Sequence, residues 1–322
     1  MANFTIRANN HKEWLEARKG GIGASEIGTI LGVNPYDTPY QLWLRKTGRV
    51  QEAESENFLM KAGHYLEEAI AKFCADETGI EIIKRSAEEF VVVNQDKQFL
   101  RVSPDRYAWL PNAKHTHDNK VVVECKSTQK QIFEDDIPLT WFTQVMYQLG
   151  VCEMNQAYLA WLTQGRDFGY KHIVFDKDFY NDVIVAEIER FWVDNILGDQ
   201  EPALLNIEDV KLKYPIHNVG KSVEATEELL DRYHTLVDVN AKIKELSAIK
   251  AEAENALKFA LQDAESLIVP ATNEMPFKTL ATWKAAKESS KFDEKTFAAE
   301  NPELYSRYMV TAPGSRRFML KQ

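Results

Sequence analysis

The stretch Val121-Val122-Val123-Glu124-Cys125-Lys126 decides the fold, because three β-branched residues in a row are typical of a buried strand. Side chains alternate between the two faces of a strand. The alternation predicts that Glu124 and Lys126 share one face and that Cys125 lies on the other. A carboxylate and an ammonium group are therefore expected side by side at the end of an apolar strand.

Helix and strand patterns alternate on both sides of this stretch. Apolar residues at three- and four-residue spacing predict helices, and short β-branched runs predict strands. The predicted helices cover 11–19, 25–31, 42–48, 55–78, 139–151 and 178–197, and the further strands 89–93, 99–102, 156–163 and 169–176. We therefore predict an α/β (α+β) fold in which helices flank a central mixed sheet.

The composition changes near residue 210, which separates a core at 1–209 from two further segments. Residues 210–275 hold a long helical pattern with a seven-residue repeat, at Leu229, Leu236 and Ile243. That pattern fits a helical hairpin, a coiled-coil arm or a helix docked on the core. Residues 276–322 form a basic extension with a small α+β pattern: a strand at 278–283, a helix at 293–300 and a last strand ending at 316–318.

The 322 residues include 39 basic and 49 acidic side chains, which gives a formal net charge of −10. This balance argues against a nonspecific nucleic-acid coat protein, although clustered acids can also bind cations. Three widely spaced cysteines fit neither a disulfide framework nor an iron–sulfur site with four clustered cysteines. Neither a secretory signal nor a membrane-spanning run is apparent, so we expect a cytoplasmic protein.

The most specific chemical pattern is Ser103-Pro104-Asp105, followed after eighteen residues by Glu124-Cys125-Lys126. If the two segments lie on neighbouring strands, Asp105 adds a second carboxylate beside Glu124. Two carboxylates and a backbone carbonyl suit Mg²⁺ or Mn²⁺, which keep several waters for a phosphate substrate. Lys126 is then placed to orient or deprotonate a water. A glutamate and a lysine two residues apart can also be a plain surface pair.

Other polar residues are candidates for the same site. Glu67 lies at the margin of a helical apolar stripe, and Gln144 and Gln148 are four residues apart on one helix flank. Arg18 precedes a glycine-rich turn, and Ser25 is expected to cap the following helix, an arrangement that can bind an anion. Each of these features alone also fits an ordinary solvated surface.

These motifs occur in one order along the chain: RKGGIGASEI at 18–27, GHYLE at 63–67, SPD at 103–105, ECK at 124–126 and QVMYQ at 144–148. In this combination the chain resembles the YqaJ-like viral recombinases, which belong with lambda exonuclease in the PD-(D/E)xK nuclease superfamily. The resemblance covers about 11–200 and implies a restriction-endonuclease-like core. The chain departs from the family pattern directly after Asp105, where Arg106-Tyr107 replaces a glycine and an aliphatic residue.

The resemblance also implies roles for the candidates. Asp105, Glu124 and the carbonyl of Cys125 would bind Mg²⁺, with Glu67 as a further acid and candidate ligand. Lys126 would contact the nucleophilic water, and Gln144 would support the site. The residues that would hold DNA and its 5′-terminal phosphate are Arg18, Ser25 and Gln148.

The function that these roles imply is a Mg²⁺-dependent 5′→3′ exonuclease acting on double-stranded DNA ends. It would leave 3′ single-stranded tails for a single-strand annealing protein of the RecT/Redβ type in phage recombination. A homo-oligomer, in lambda-type enzymes a trimeric ring, is also implied. An endonuclease with the same site and a catalytically silent DNA-end-binding module are the alternatives.

Overall fold

The computed structural model describes residues 3–50, 58–83, 89–272, 275–311 and 314–321. Two compact units are present, one up to Lys213 and one from Tyr214 on. Within the described part of the chain, no helix is long and apolar enough to cross a membrane.

The described part of the first unit contains eight strands in two sheets. They are β1 (Phe4–Ala8), β2 (Glu81–Ile82), β3 (Glu89–Val93), β4 (Arg101–Val102), β5 (Arg106–Trp109), β6 (Lys120–Thr128), β7 (Gln156–Thr163) and β8 (Asp167–Val174). The main sheet has the order β2-β5-β6-β7-β8, and β6 and β7 run parallel while the other pairs are antiparallel. The smaller sheet has the order β1-β3-β4. The predicted central strand is thus the middle strand of a mixed sheet.

Helices cover the main sheet on both sides. Helix α4 (Phe58–Thr78) packs on one side and α5 (Leu139–Cys152) on the other. The other helices described in this unit are α1 (His11–Lys19), α2 (Ile27–Ile30), α3 (Pro39–Lys46), α6 (Ala186–Arg190) and α7 (Ile207–Lys213). Turns of π-helix, Phe179–Val185 and Phe191–Leu197, flank α6. The fold prediction, a central mixed sheet flanked by helices, is confirmed, although residues 55–57 of one predicted helix lie outside the described part.

The alternation of β6 separates two hydrophobic cores. Val122 packs with α5 and the helices beside it, whereas Val121, Val123 and Cys125 pack with the buried face of α4. All three valines are fully buried. The side chains of Glu124 and Lys126 follow Val122 and therefore project on the α5 side, as the sequence pattern predicts.

The first helical turn after the glycine-rich segment differs from expectation. Ser25 does not cap it: Gly23 does, and the turn Ala24–Glu26 begins after it. The Gly23 amide donates to the Glu26 side chain at 2.7 Å, and the Glu26 amide donates back to the Gly23 carbonyl at 3.0 Å. The reciprocal bonds to Glu26 stabilise a start one residue earlier than the serine, so the capping role predicted for Ser25 is wrong.

The second unit is built on one long helix, α8 (Glu227–Leu261). It is unbroken, which excludes the helical-hairpin interpretation of this stretch. Two strands, β9 (Ser266–Val269) and β10 (Lys278–Thr282), form an antiparallel pair, and two short helices follow, α9 (Glu294–Glu300) and α10 (Pro302–Tyr308). The domain boundaries predicted at 209 and 275 stay predictions.

The predicted last strand ending at 316–318 is wrong, because residues 314–321 form no strand. This segment contacts the rest of the unit through single hydrogen bonds. Arg316 donates to the carbonyl of Tyr214, and the Tyr233 hydroxyl donates to the carbonyl of Lys321. A strand needs a neighbouring backbone ladder, and these contacts do not provide one.

Candidate active site

Glu124 is the most deeply buried charged group of the predicted site, with 2% of its surface exposed. One oxygen, Oε1, accepts from the Gln144 amide at 2.5 Å and lies 2.8 Å from the Lys126 ammonium. The other, Oε2, accepts from the Gln148 amide at 2.7 Å. A buried carboxylate is tolerated only when it is paired and hydrogen-bonded, and three donors meet that condition here.

Lys126 connects strand β6 to helix α5. Its Nζ donates to the Gln144 side-chain oxygen at 2.9 Å while it faces Glu124. Burial alone would lower the pKa of Lys126, but the negative charges of Glu124 and Asp105 outweigh it and raise this pKa. In the metal-free protein the side chain is therefore an ammonium at neutral pH and a hydrogen-bond donor.

Asp105 lies directly before β5, which pairs with β6. Its Oδ2 accepts the backbone amide hydrogen of Cys125 at 2.8 Å, which places the carboxyl group directly beside the Glu124–Lys126 segment. Burial raises the pKa of Asp105 well above its usual range, and the negative charges of Glu124 and Glu67 raise it further. Three carboxyl groups are thus close enough to repel one another, an arrangement that a cation relieves.

Glu67 reaches the site from α4, and a cationic side chain meets it there. Arg106 Nη1 lies 3.3 Å from Glu67 Oε2 and donates to the carbonyl of Asp105 at 2.7 Å. His64 Nε2 is 4.0 Å from the other Glu67 oxygen. The sequence pattern did not predict the ion pair with Arg106; the only signal was the replacement of the usual glycine after Asp105.

Arg18 and Ser25 form a second polar group at the end of α1. The Arg18 guanidinium lies 4.4 Å from the ring centroid of Trp14 and donates weakly to the Ser25 hydroxyl at 3.5 Å. The Trp14 indole in turn donates to the Ser103 hydroxyl at 3.1 Å, which ties this helix to the segment before Asp105. The role of Trp14 as a platform under Arg18 was missed from the sequence.

A tight backbone contact holds the glycine-rich turn in place. The Ile22 amide donates to the carbonyl of Phe99 at 2.7 Å, and a Cβ on Gly21 would come within 2.3 Å of that carbonyl oxygen. Only glycine permits this approach. The turn is thereby fixed beside strand β4 and positions Ser25 for its contact with Arg18.

All nine residues predicted for the site line one cleft of about 1120 Å³ in the first unit. They are Arg18, Ser25, Glu67, Asp105, Glu124, Cys125, Lys126, Gln144 and Gln148. The structure thus brings every predicted residue to one place, and the roles assigned to them stay predictions.

The donor set fits a hard divalent cation that keeps open positions. Among the described residues, no three His, Cys, Asp or Glu side chains form a ready-made metal cage. Mg²⁺ rarely uses such a cage, since one or two carboxylates with water and substrate oxygens suffice. Asp105, Glu124 and the carbonyl of Cys125 offer that smaller set, and the mutual repulsion of the carboxyl groups favours a cation.

Comparison with known proteins shows which family the chain that forms this cleft is similar to. The model of the YqaJ-like viral recombinase domain matches residues 13–155, a range that contains all nine residues. The uncharacterized protein YqaJ of Bacillus subtilis (strain 168) is 30% identical over 320 residues, which cover 96% of this chain and 94% of that protein.

Solved structures of two exonucleases are also similar to part of the chain. The alkaline exonuclease LHK-Exo from Laribacter hongkongensis has a TM-score of 0.41 and 17% identity, and the match covers 63% of this chain and 98% of that one. A phage-related exonuclease from Haemophilus somnus 129PT has a TM-score of 0.37 and 13% identity, with coverage of 56% and 96%. Membership in a family is shown by the two sequence matches. On these, the chain belongs to the YqaJ-like viral recombinase family.

Proposed function

We propose that the protein is a metal-dependent nuclease that hydrolyses phosphodiester bonds of DNA. The observation that carries the proposal is the meeting of Asp105, Glu124 and Lys126 in one cleft, with two carboxyl groups beside an ammonium group. A phosphodiester is an anion, and its hydrolysis adds negative charge in the transition state. A cleft that combines fixed cationic donors with a cation-binding pair of acids suits this chemistry.

The residues that would hold Mg²⁺, with Mn²⁺ as a substitute, are Asp105, Glu124 and the carbonyl of Cys125. When bound, the cation supplies a more acidic water and neutralises charge on the scissile phosphate. Glu124 has both oxygens fixed by amide donors, at 2.5 and 2.7 Å, so it is oriented before substrate arrives. Preorganisation of this kind lowers the cost of reaching the transition state.

Lys126 and Gln144 complete the reacting centre. Lys126 Nζ lies 2.8 Å from Glu124 Oε1, so this ammonium group is placed to donate a hydrogen bond to the attacking water or to a phosphate oxygen. The Gln144 side-chain oxygen accepts a hydrogen bond from Lys126 Nζ at 2.9 Å, and its amide nitrogen donates one to Glu124. It thereby fixes the distance between the acid and the ammonium group, and its role is positioning.

We further propose that Arg18 and Ser25 receive the 5′-terminal phosphate of a double-stranded DNA end, while Gln148 holds Glu124 in place. A guanidinium already stacked on Trp14 has fewer conformations to lose when it binds a phosphate. Phosphate capture at this point supports 5′→3′ exonuclease activity that leaves 3′ single-stranded tails.

The proposed cellular role is recombination by strand annealing. The 3′ tails would pass to a single-strand annealing protein of the RecT/Redβ type, in the cytoplasm of a bacterial host that carries the phage or prophage. The protein would form a homo-oligomer, and the specific proposal is a trimeric ring that encloses the duplex. Enclosure would hold the DNA despite the repulsion from chains with a net charge of −10.

Digestion of end-labelled DNA tests the proposal. We expect Mg²⁺-dependent release of nucleotides from linear duplex with 5′-phosphate ends, no cleavage of a covalently closed circle, and no activity in the Glu124→Gln variant. Cleavage of the circle would replace the exonuclease by an endonuclease. DNA-end binding without Mg²⁺-dependent cleavage would leave a catalytically silent binding module.

A further inference from the structure

Arg106 joins two parts of the candidate site through one nitrogen. Its Nη1 donates to the Asp105 carbonyl at 2.7 Å and faces Glu67 Oε2 at 3.3 Å. Only 11% of the arginine side chain and 15% of the glutamate side chain are exposed. A pair so shielded is screened less by water and salt than a surface pair, so it competes effectively with other ligands of Glu67.

The register of the sheet places this pair on the α4 side. Arg106 lies opposite Val123 in the antiparallel β5–β6 pair. Residues directly opposite each other in such a pair project on the same face, and Val123 packs against α4. Glu124 and Lys126 project on the other face, towards α5. The ion pair and the Glu124 network therefore approach the cleft from opposite sides of the sheet.

We propose that Arg106 holds Glu67 out of cation coordination, so that the site takes one divalent cation, on Asp105 and Glu124. The inference rests on the proposed function and deepens it. Glu67 stays close enough to raise the pKa of Asp105, but its Oε2 is engaged by a guanidinium that is itself anchored on the backbone.

The charges of the cluster support a single cation. Three carboxylates, of Glu67, Asp105 and Glu124, face two fixed cations, Arg106 and Lys126, which leaves one net negative charge when all five are ionised. One divalent cation together with one phosphodiester brings this cluster to neutrality. A second divalent cation would leave two uncompensated positive charges in a largely buried site.

Mn²⁺ binding to the DNA-free protein tests the inference without reference to activity. The electron paramagnetic resonance signal of free Mn²⁺ is followed during titration of wild-type protein and two variants. Arg106→Gln removes the guanidinium but keeps a similar shape. The double variant Glu67→Gln/Arg106→Gln removes both charges of the pair and so preserves the net charge of the site.

We expect one Mn²⁺ per chain for the wild type, and one for the double variant with a Kd within about threefold of wild type, because a neutral pair has been exchanged for neutral amides. Arg106→Gln is expected to bind a second Mn²⁺, since Glu67 then loses its guanidinium partner beside Asp105. Circular dichroism checks the fold of each variant. If Arg106→Gln does not fold, the stoichiometry and Kd of Mn²⁺ binding to the double variant test the inference.

Two Mn²⁺ bound by the wild type, or a Kd weakened more than about tenfold in the double variant, would overturn the inference, because Glu67 would then be a ligand. A wild-type protein that binds no Mn²⁺ would overturn the proposed function along with it. The two failures are therefore distinguishable by stoichiometry.

Discussion

Exchange of Lys126 for methionine removes the only ammonium group among the described residues that faces Glu124, while it keeps a side chain of similar length. Glu124 is 2% exposed, and its Oε1 lies 2.8 Å from Lys126 Nζ. After the exchange the carboxylate remains buried with amide donors alone. Lys126→Met should therefore destabilise the metal-free protein in addition to abolishing cleavage.

The size of the loss follows from the burial of the pair. Removal of one partner from a buried ion pair costs about 3–5 kcal/mol. Gln144 and Gln148 still donate to Glu124, at 2.5 and 2.7 Å, so we expect the lower end, about 3 kcal/mol. For a domain of this size that corresponds to a decrease in Tm of roughly 6–12 °C.

The matched control is Glu124→Gln/Lys126→Met, which removes the buried charge as well. In the wild type the Gln144 side-chain oxygen accepts from Lys126. In the double variant this oxygen is available to accept a hydrogen bond from the glutamine amide introduced at position 124. We expect the double variant to recover at least about 2 kcal/mol of the loss. Mg²⁺ should raise the Tm of Lys126→Met more than that of the wild type, since the cation restores a counter-charge.

Thermal and guanidinium chloride unfolding in EDTA, followed by circular dichroism, measure the stability of both variants. Thermal unfolding in Mg²⁺ without EDTA measures the shift in Tm that the cation causes. A Lys126→Met protein as stable as wild type would refute the reasoning, and so would a double variant as unstable as the single one. Either result would mean that Glu124 does not need the ammonium group, as would be the case if water reached the carboxylate.

Three further predictions follow from the same contacts. Arg18→Ala should reduce kcat/KM on 5′-phosphorylated ends by about 10–100-fold, the loss of one charge-assisted bond, and leave 5′-hydroxyl ends unaffected; equal losses on both would contradict it. Gln148→Leu should lower stability by about 1–2 kcal/mol in urea unfolding, because Glu124 loses a donor; no change would mean that water replaces it. Burial raises the pKa of Cys74 to about 11 and of Cys152 to about 12. Iodoacetamide at pH 8 should therefore label these thiols only after denaturation. Rapid labelling of the folded protein would contradict their burial.

The central strand shows why much of the fold was predictable from the sequence. Local pattern alone assigns Val121–Lys126 to a strand, and alternation alone puts Glu124 and Lys126 on one face. The burial of Val122 against α5 and of Val123 against α4 follows that pattern. Helix α3 was predicted at 42–48 from its local pattern, but it begins three residues earlier, because Thr38 caps it and Pro39 occupies its first position.

Features that depend on distant residues were not predictable. The Arg106–Glu67 pair joins positions 39 apart, and its partners are fixed only when α4 packs on the sheet. The prediction of a Ser25 cap failed for a local reason instead, because Glu26, next to it, makes the reciprocal bonds with Gly23. The full burial of Gln148 likewise depends on the whole core around α5, whereas its spacing from Gln144 predicts only a shared flank.

A crystal of the protein soaked in Mn²⁺ tests the central claim most directly, since anomalous scattering locates the ion independently of activity. The account predicts one strong peak between Asp105 and Glu124, about 2.0–2.3 Å from an oxygen of each and near the Cys125 carbonyl. A peak that excludes Glu124, or no peak in the cleft at a Mn²⁺ concentration that supports cleavage, would contradict it.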